Sequence, residues 1–208
     1  MMDNTLQSHW DNTYLSKGPD QLSWSQNLPE PSLSLIKSTG ITKTDAIIDI
    51  GGGDATLIEN LLSEGYSDLT VLDISSAAID RARKRLGERA EKIKWIVCNI
   101  LDFAPARPYK LWHDRATFHF LTETQDIKNY KHIVSEFVDK DLIIGTFSEN
   151  GPTMCSGLPV RRYNLESLEL FFNDDFQLKQ SVNSDHVTPF GSVQNFLFTH
   201  FFKGQLID

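Results

Sequence analysis

The stretch "AIIDIGGGDATLIENLLSEG" (46–65) constrains the fold more than any other part of the chain. A short β-branched run stops at three consecutive glycines, and Leu57, Ile58, Leu61 and Leu62 then fall on one helical face until Gly65 ends the pattern. A strand turns tightly into a helix there, and the turn carries almost no side chains.

The unit repeats. "LTVLDI" (69–74) reads as a second strand, and "SSAAIDRARKRLGERA" (75–90) opens with serine caps and aligns Ala78, Ile79, Ala82 and Leu86 at helical spacing. "IKWIVCNI" (93–100), "KLWHD" (110–114) and "DLIIGTF" (141–147) read as three more strands, with "TQDIKNYKHIVSEFVDK" (124–140) as a helix before the last. Strands alternating with helices predict an α/β fold, a mostly parallel, doubly wound sheet covered on both faces. The tail differs: "LESLELFFN" is helical, while "FQLKQSVNSDHV" and "NFLFTHFFK" predict a closing antiparallel hairpin at a sheet edge. The chain of 208 residues shows no repeat and no linker, so one domain is expected.

Charge narrows the partners. At a formal −8 the overall field repels phosphate backbones and anionic membranes, so neither nucleic acid nor a membrane is expected. The basic run "RARKRLGERAEK" alternates with acids and reads as a solvated helix face. No apolar stretch approaches the ~20 residues of a membrane helix, and "MMDNTLQSHW" lacks the marks of an export signal, which predicts a cytoplasmic protein. Cys98 and Cys155 offer no disulfide framework and no metal-ligand spacing; no metal is expected.

In an open α/β sheet the ligand lies beyond the carboxyl ends of the strands, which makes the glycine turn the expected site. Gly51 and Gly53 supply the first two glycines of a dinucleotide fingerprint, but Thr56 occupies the third position. Asp49 and Asp54 place two carboxylates where a pyrophosphate would sit, so an anion is disfavoured. S-adenosyl-L-methionine (SAM), with an ammonium, a sulfonium and an adenosine, suits the same acids. Asp73, about 20 residues beyond the loop, is placed to accept ribose hydroxyls.

"IIDIGGGDAT", "VLDIS", "CNILDF" and "LWHDRATFHFL" resemble the successive motifs of the class I SAM-dependent methyltransferases, over nearly the whole chain from about Trp10 to Lys203. The resemblance implies a three-layer, mostly parallel seven-stranded sheet in a single domain spanning 1–208. Residues 1–40 would form a helical cap over the cofactor, 41–150 the cofactor-binding core, and 151–208 the substrate side and edge hairpin. It also implies that Gly51 and Gly53 approach the methionine part, Asp49 its amino end and Asp73 the ribose. Asp73 is followed by Ile74 in the same motif, and Asn99 with Ile100 would face the adenine. Asp114 would lie beside the transferable methyl. Ala55 and Asn99 depart from the family pattern, which has a third glycine and commonly an aspartate at these positions.

On the acceptor side, "LWHDRATFHFL" crowds His113, Asp114, Arg115, Phe118 and His119 around a strand end. Asp114 and His119 are the catalytic candidates, His119 as a base or as a histidine packed into the following turn. Arg115 could bind an acidic substrate group or pair with the protein's own carboxylates. Trp10, Tyr14 and Trp24 resemble a segment that covers the cofactor in several family branches, with plain aromatic packing as the other reading. Arg161, Arg162, His186 and Gln194 lie in a region the family uses for substrate. The resulting expectation is methyl transfer from SAM to a small molecule or protein side chain. The alternatives are an NAD(P)-linked oxidoreductase and a SAM-binding regulatory protein without turnover.

Overall fold

A computed structural model describes residues 4–204. Positions 1–3 and 205–208, the outer ends of the expected domain, lie outside the described residues.

The helices are α1 (Asn4–Ser16), α2 (Glu30–Ser38), α3 (Leu57–Ser63), α4 (Ser76–Leu86), α5 (Thr124–Phe137) and α6 (Leu165–Phe172). The strands are β1 (Ile47–Ile50), β2 (Leu69–Asp73), β3 (Ile93–Val97), β4 (Tyr109–Arg115), β5 (Val138–Phe147), β6 (Met154–Cys155), β7 (Leu158–Pro159), β8 (Gln177–Val187) and β9 (Val193–Phe202). Seven strands form one sheet in the order β3-β2-β1-β4-β5-β9-β8. Pairings among β1 to β5 are parallel; β9 pairs antiparallel with both β5 and β8. The expected fold class is therefore the observed one, with β8 as the outer strand of the hairpin.

Side chains alternate across the sheet, and this decides the site. Along β1 and β4, Ile47 and Leu111 pack with α2 and α3, through Leu33, Ile36, Leu57 and Leu61. Ile48, Ile50 and Trp112 pack on the opposite face with Tyr130 and Val134 of α5 and with Phe172 of α6. Asp49, His113 and Arg115 share the parity of Ile47 and Leu111, whereas Asp114 shares that of Trp112.

Several boundaries differ from the sequence reading for local reasons. The helix expected over 75–90 breaks at Gly87, whose φ of +60° leads into a 3₁₀ turn over Gly87–Lys92. The strand expected over 93–100 stops at Val97, because the Asn99 side chain accepts from Leu101 N (3.0 Å) and starts a new turn. Unforeseen is the small hairpin β6–β7, whose turn residues Ser156 and Gly157 both have positive φ (49° and 78°).

The N-terminal helix is fastened to the core by a cap in trans. Asp11 Oδ1 accepts from Ser75 Oγ (2.7 Å) and from Ala77 N (3.1 Å), while Ser75 Oγ accepts from Ala78 N (3.1 Å). Free amides at the start of α4 are thus satisfied by α1. Asp11→Ala is expected to cost about 1 kcal/mol, the usual worth of a helix cap, and to lower Tm by roughly 2–4 °C in thermal denaturation. An unchanged Tm would show that Ser75 caps α4 unaided.

Candidate active site

A cavity of about 330 Å³ opens at the carboxyl edge of β1, β2 and β4. Its floor is the glycine turn, which leaves no room for side chains. A Cβ on Gly51 (φ +65°) would lie 1.9 Å from Thr117 Oγ1, and one on Gly52 would lie 2.2 Å from Asp49 Oδ2. Gly53 does not line the cavity. It is packed against Ala78 and Asp73, and its amide donates to Asp73 Oδ2 (2.9 Å), so it seats that carboxylate. Gly52, passed over in the sequence, lines the cavity in its place.

Two buried carboxylates flank the turn on the cavity side. Asp49 is only 2% exposed; its Oδ1 meets His113 Nδ1 at 2.7 Å, and His113 Nε2 meets Ser32 Oγ on α2 at 2.8 Å. A carboxylate accepts, so Nδ1 carries the hydrogen toward Asp49, and Nε2 is held by the Ser32 hydroxyl. Asp49 Oδ2 has no hydrogen-bond partner among the described residues. Asp73 accepts from Gly53 N at Oδ2 and from Ser75 N (2.8 Å) at Oδ1. Burial raises its pKa to about 6; the two amides oppose that shift, and the charges of Asp49 and Asp11 add to it.

Asp54 corrects the charge argument made from the sequence. Its carboxylate pairs with Arg81 (2.9 Å) and with Arg85, which also holds Glu59. Two arginines on α4 neutralise it, leaving Asp49, held by His113, as the acid at the turn with no arginine partner among the described residues. Those arginines are ion-paired and not a purely solvated face.

Ile74, Asn99, Ile100, Trp10, Tyr14 and Trp24 all line the cavity. Trp24 meets Trp10 and Tyr14 edge-on, with ring centroids 5.8 and 5.9 Å apart, and Phe120 closes on Trp10 at 5.1 Å. The two residues expected to be catalytic do not line it. Asp114 points to the α5 face: Oδ1 accepts from Thr117 N (3.0 Å) and Phe118 N (3.1 Å), and Oδ2 from Tyr130 OH (2.7 Å). Strand parity turns it away from Asp49. His119 is fully buried against Phe147 (4.5 Å), and its Nδ1 accepts from Phe147 N (3.3 Å). Burial, helped by the charge of Arg115, lowers its pKa to about 3, so the ring is neutral.

Of the remaining candidates, Arg115, Gln194 and both cysteines line the cavity, while Arg161, Arg162 and His186 do not. Arg162 donates to Glu149 O (2.6 Å), Arg161 lies over the Tyr163 ring (5.4 Å), and His186 Nε2 meets Ser23 O (2.7 Å). Ser32, Thr117, Phe147 and Phe196 also line the cavity and were not foreseen. Among the described residues no cluster of His, Cys, Asp or Glu could hold a metal. No helix there is long and apolar enough to cross a membrane.

The family described as "Methyltransferase domain" matches residues 47–136. Malonyl-[acyl-carrier protein] O-methyltransferase 1 of Ilyobacter polytropus is 22% identical over 169 residues, covering 76% of this chain and 62% of that protein. The matched region thus spans less than two thirds of that relative. Among solved structures, N-methyltransferase NodS of Bradyrhizobium japonicum, in complex with S-adenosylhomocysteine, superposes with a TM-score of 0.72 at 19% identity. That match covers 98% of this chain and 100% of NodS. The 1,6-didemethyltoxoflavin N1-methyltransferase of Burkholderia thailandensis gives 0.75 at 15% identity, covering 96% and 88%.

The placement of Asp114 yields a prediction. Asp114→Ala leaves two amides and a buried phenol without their acceptor, at a cost of about 2–4 kcal/mol. Tm should fall by roughly 5–15 °C, while ligand affinity of the folded fraction stays within about threefold. A normal Tm in calorimetry combined with a collapsed ligand affinity would instead return Asp114 to the site.

Proposed function

We propose, from the match of residues 47–136 to the methyltransferase-domain family and from the class I SAM-dependent methyltransferase fold, that the chain transfers a methyl group from SAM to an acceptor and releases S-adenosylhomocysteine. The observation that carries this reading is the pair of buried carboxylates beside the glycine turn. Asp49 holds an unpaired oxygen suited to an ammonium, and each Asp73 oxygen spends one acceptor site on an amide and keeps another for a ribose hydroxyl.

In this reading Gly51 and Gly52 lie along the methionine part. Ile74, Asn99 and Ile100 flank the adenine, and Trp10 and Tyr14 cover the adenosine from α1. The bound cofactor supplies an electrophilic methyl on a sulfonium, open to in-line attack by the acceptor atom. The chain's own residues contribute position and dryness: the charges at the turn fix the cofactor end, and the aromatic roof keeps water from the reacting pair. Roofing by Trp10, Trp24 and Phe120 favours a small-molecule acceptor over a protein side chain. The net charge argues against nucleic acid, and free Cys98 and Cys155 suit the cytoplasm.

Calorimetric titration tests the premise: SAM and S-adenosylhomocysteine should bind in the micromolar range and NAD far more weakly. Turnover is tested by incubating enzyme, SAM and cell extract and searching by mass spectrometry for products heavier by one methylene.

Asp73→Ala should weaken SAM by about 2–4 kcal/mol, the worth of charge-assisted bonds to two hydroxyls, in a protein that remains folded. The pH dependence follows from the raised pKa. Ribose hydroxyls donate to the ionised carboxylate, so binding favours that form and drives off a proton wherever the free carboxyl holds one. Affinity should be flat above about pH 6 and fall below it, approaching tenfold per pH unit, with the dependence absent in Asp73→Asn. An identical profile in both proteins would remove Asp73 from the cofactor site.

A further inference from the structure

We infer that Arg115, with Gln194 beside it, anchors a carboxylate of the methyl acceptor, which makes the substrate a small organic acid with an apolar body; this rests on the methyltransferase reading above. Arg115 closes β4 on the cavity-facing parity, and the next residue, Ala116, takes a left-handed φ of 65° while its amide donates to Gly145 O (2.8 Å). A side-chain-bearing residue adopts that conformation at an energetic cost, and here it fixes the direction in which the strand end points.

Among the described residues the guanidinium makes a single hydrogen bond, Nη1 to Trp24 O (3.2 Å), and it lies 5.2 Å over the Phe196 ring. Among the described residues no carboxylate forms an ion pair with it, although it lines the cavity. Desolvation lowers its pKa from the ordinary value to about 10, which leaves it charged at neutral pH. A largely buried cation with free donors facing a cavity is satisfied best by a planar anion. Gln194 supplies a second polar group. It is 8% exposed, its side-chain amide has no partner among the described residues, and it lines the same cavity. Gln194 and Phe196 are two positions apart on β9 and so share a face of the sheet, and Phe196 is the ring under Arg115.

Position sets this pair toward the β9 side of the cavity. β4 lies between β1, which carries the glycine turn, and β5; β9 lies beyond β5. Arg115 lies over the Phe196 ring of β9, while the charge of Asp49 still reaches it and partly offsets its desolvation. Trp24, Phe147, Phe196 and Leu158 surround the polar pair with apolar surface. Such a setting suits a flat or branched acid held by its carboxylate, with another of its atoms presented to the methyl.

The other source of a carboxylate is the methionine end of the cofactor, and the test separates the two. Wild type saturated with S-adenosylhomocysteine is titrated calorimetrically with benzoate, phenylacetate and indole-3-acetate and with their uncharged amides. The carboxylates should bind at least about tenfold more tightly than the amides. Arg115→Gln should abolish the preference, and Arg115→Lys, which preserves charge and serves should the first variant not fold, should retain part of it. S-adenosylhomocysteine affinity should change by less than about threefold in either.

If S-adenosylhomocysteine fails to bind wild type, the methyltransferase reading itself falls. If it binds but carboxylates and amides are alike, or none binds at millimolar concentration, the acid anchor is wrong. If Arg115→Gln weakens S-adenosylhomocysteine but not methylthioadenosine, which lacks the amino-acid end, Arg115 holds the cofactor and the inference is overturned.

Discussion

The site depends on one steric constraint, the close approach of three glycines to three neighbouring side chains. Gly51 presses on Thr117, Gly52 on Asp49 and Gly53 on Asp73, each at a distance no Cβ could occupy. Hydrogen bonds run along the same contacts: Gly51 N donates to Leu72 O (2.7 Å), and Thr117 Oγ1 donates to Ile50 O (3.2 Å). The ends of β1 and β2 and the turn after β4 are therefore fastened around a single loop. Asp114 belongs to this scheme indirectly. It receives the amide of Thr117, and so holds in place the turn against which Gly51 packs.

Charge is distributed along the cavity in a definite order. At the turn, Asp49 keeps an unpaired oxygen while its other oxygen is committed to His113 and, through it, to Ser32. At the end of β4 stands Arg115, which has no ion pair among the described residues. The two come from neighbouring strands, and in a lining that is otherwise largely aromatic and aliphatic each charge keeps its strength. A ligand pair that places a cation at one end and an anion at the other meets both demands without moving the protein.

The parts of this arrangement that were legible in the sequence are those governed by local rules. The apolar runs of β1 and β2, the helical spacing after the glycines and the strand-end acids Asp49 and Asp73 all follow from neighbours in the chain. What was misread depended on parity or on distant contacts. The alternation Leu111, Trp112, His113, Asp114, Arg115 already separates His113 and Arg115 from Asp114, so position at the strand end alone does not bring Asp114 to the cavity. Asp54 looked like a free acid because its arginines, Arg81 and Arg85, lie on another helix. The hairpin β6–β7 has strands of two residues, too short for any periodicity, and only the Ser156-Gly157 turn could have signalled it.

The roof and the floor of the cavity share one cation. Arg81 pairs with Asp54 in the segment after the glycine turn, and its Nη1 also donates to Tyr14 O (3.1 Å) and Lys17 O (2.9 Å) at the carboxyl end of α1. A positive charge suits unpaired carbonyls at that end of a helix, so the contact holds α1 by its dipole as well as by hydrogen bonds. Its second anchor is Asp11 on the cap of α4, the same helix that carries Arg81. With α1 bound twice to α4, and α4 starting immediately after Asp73, the helix bearing Trp10 and Tyr14 is referenced to the carboxylate assigned to the ribose. A shift of the cofactor loop would therefore be felt at the roof through two short covalent and hydrogen-bonded paths, which is a physical reason for the covering aromatics to sit on this helix and not on a free loop.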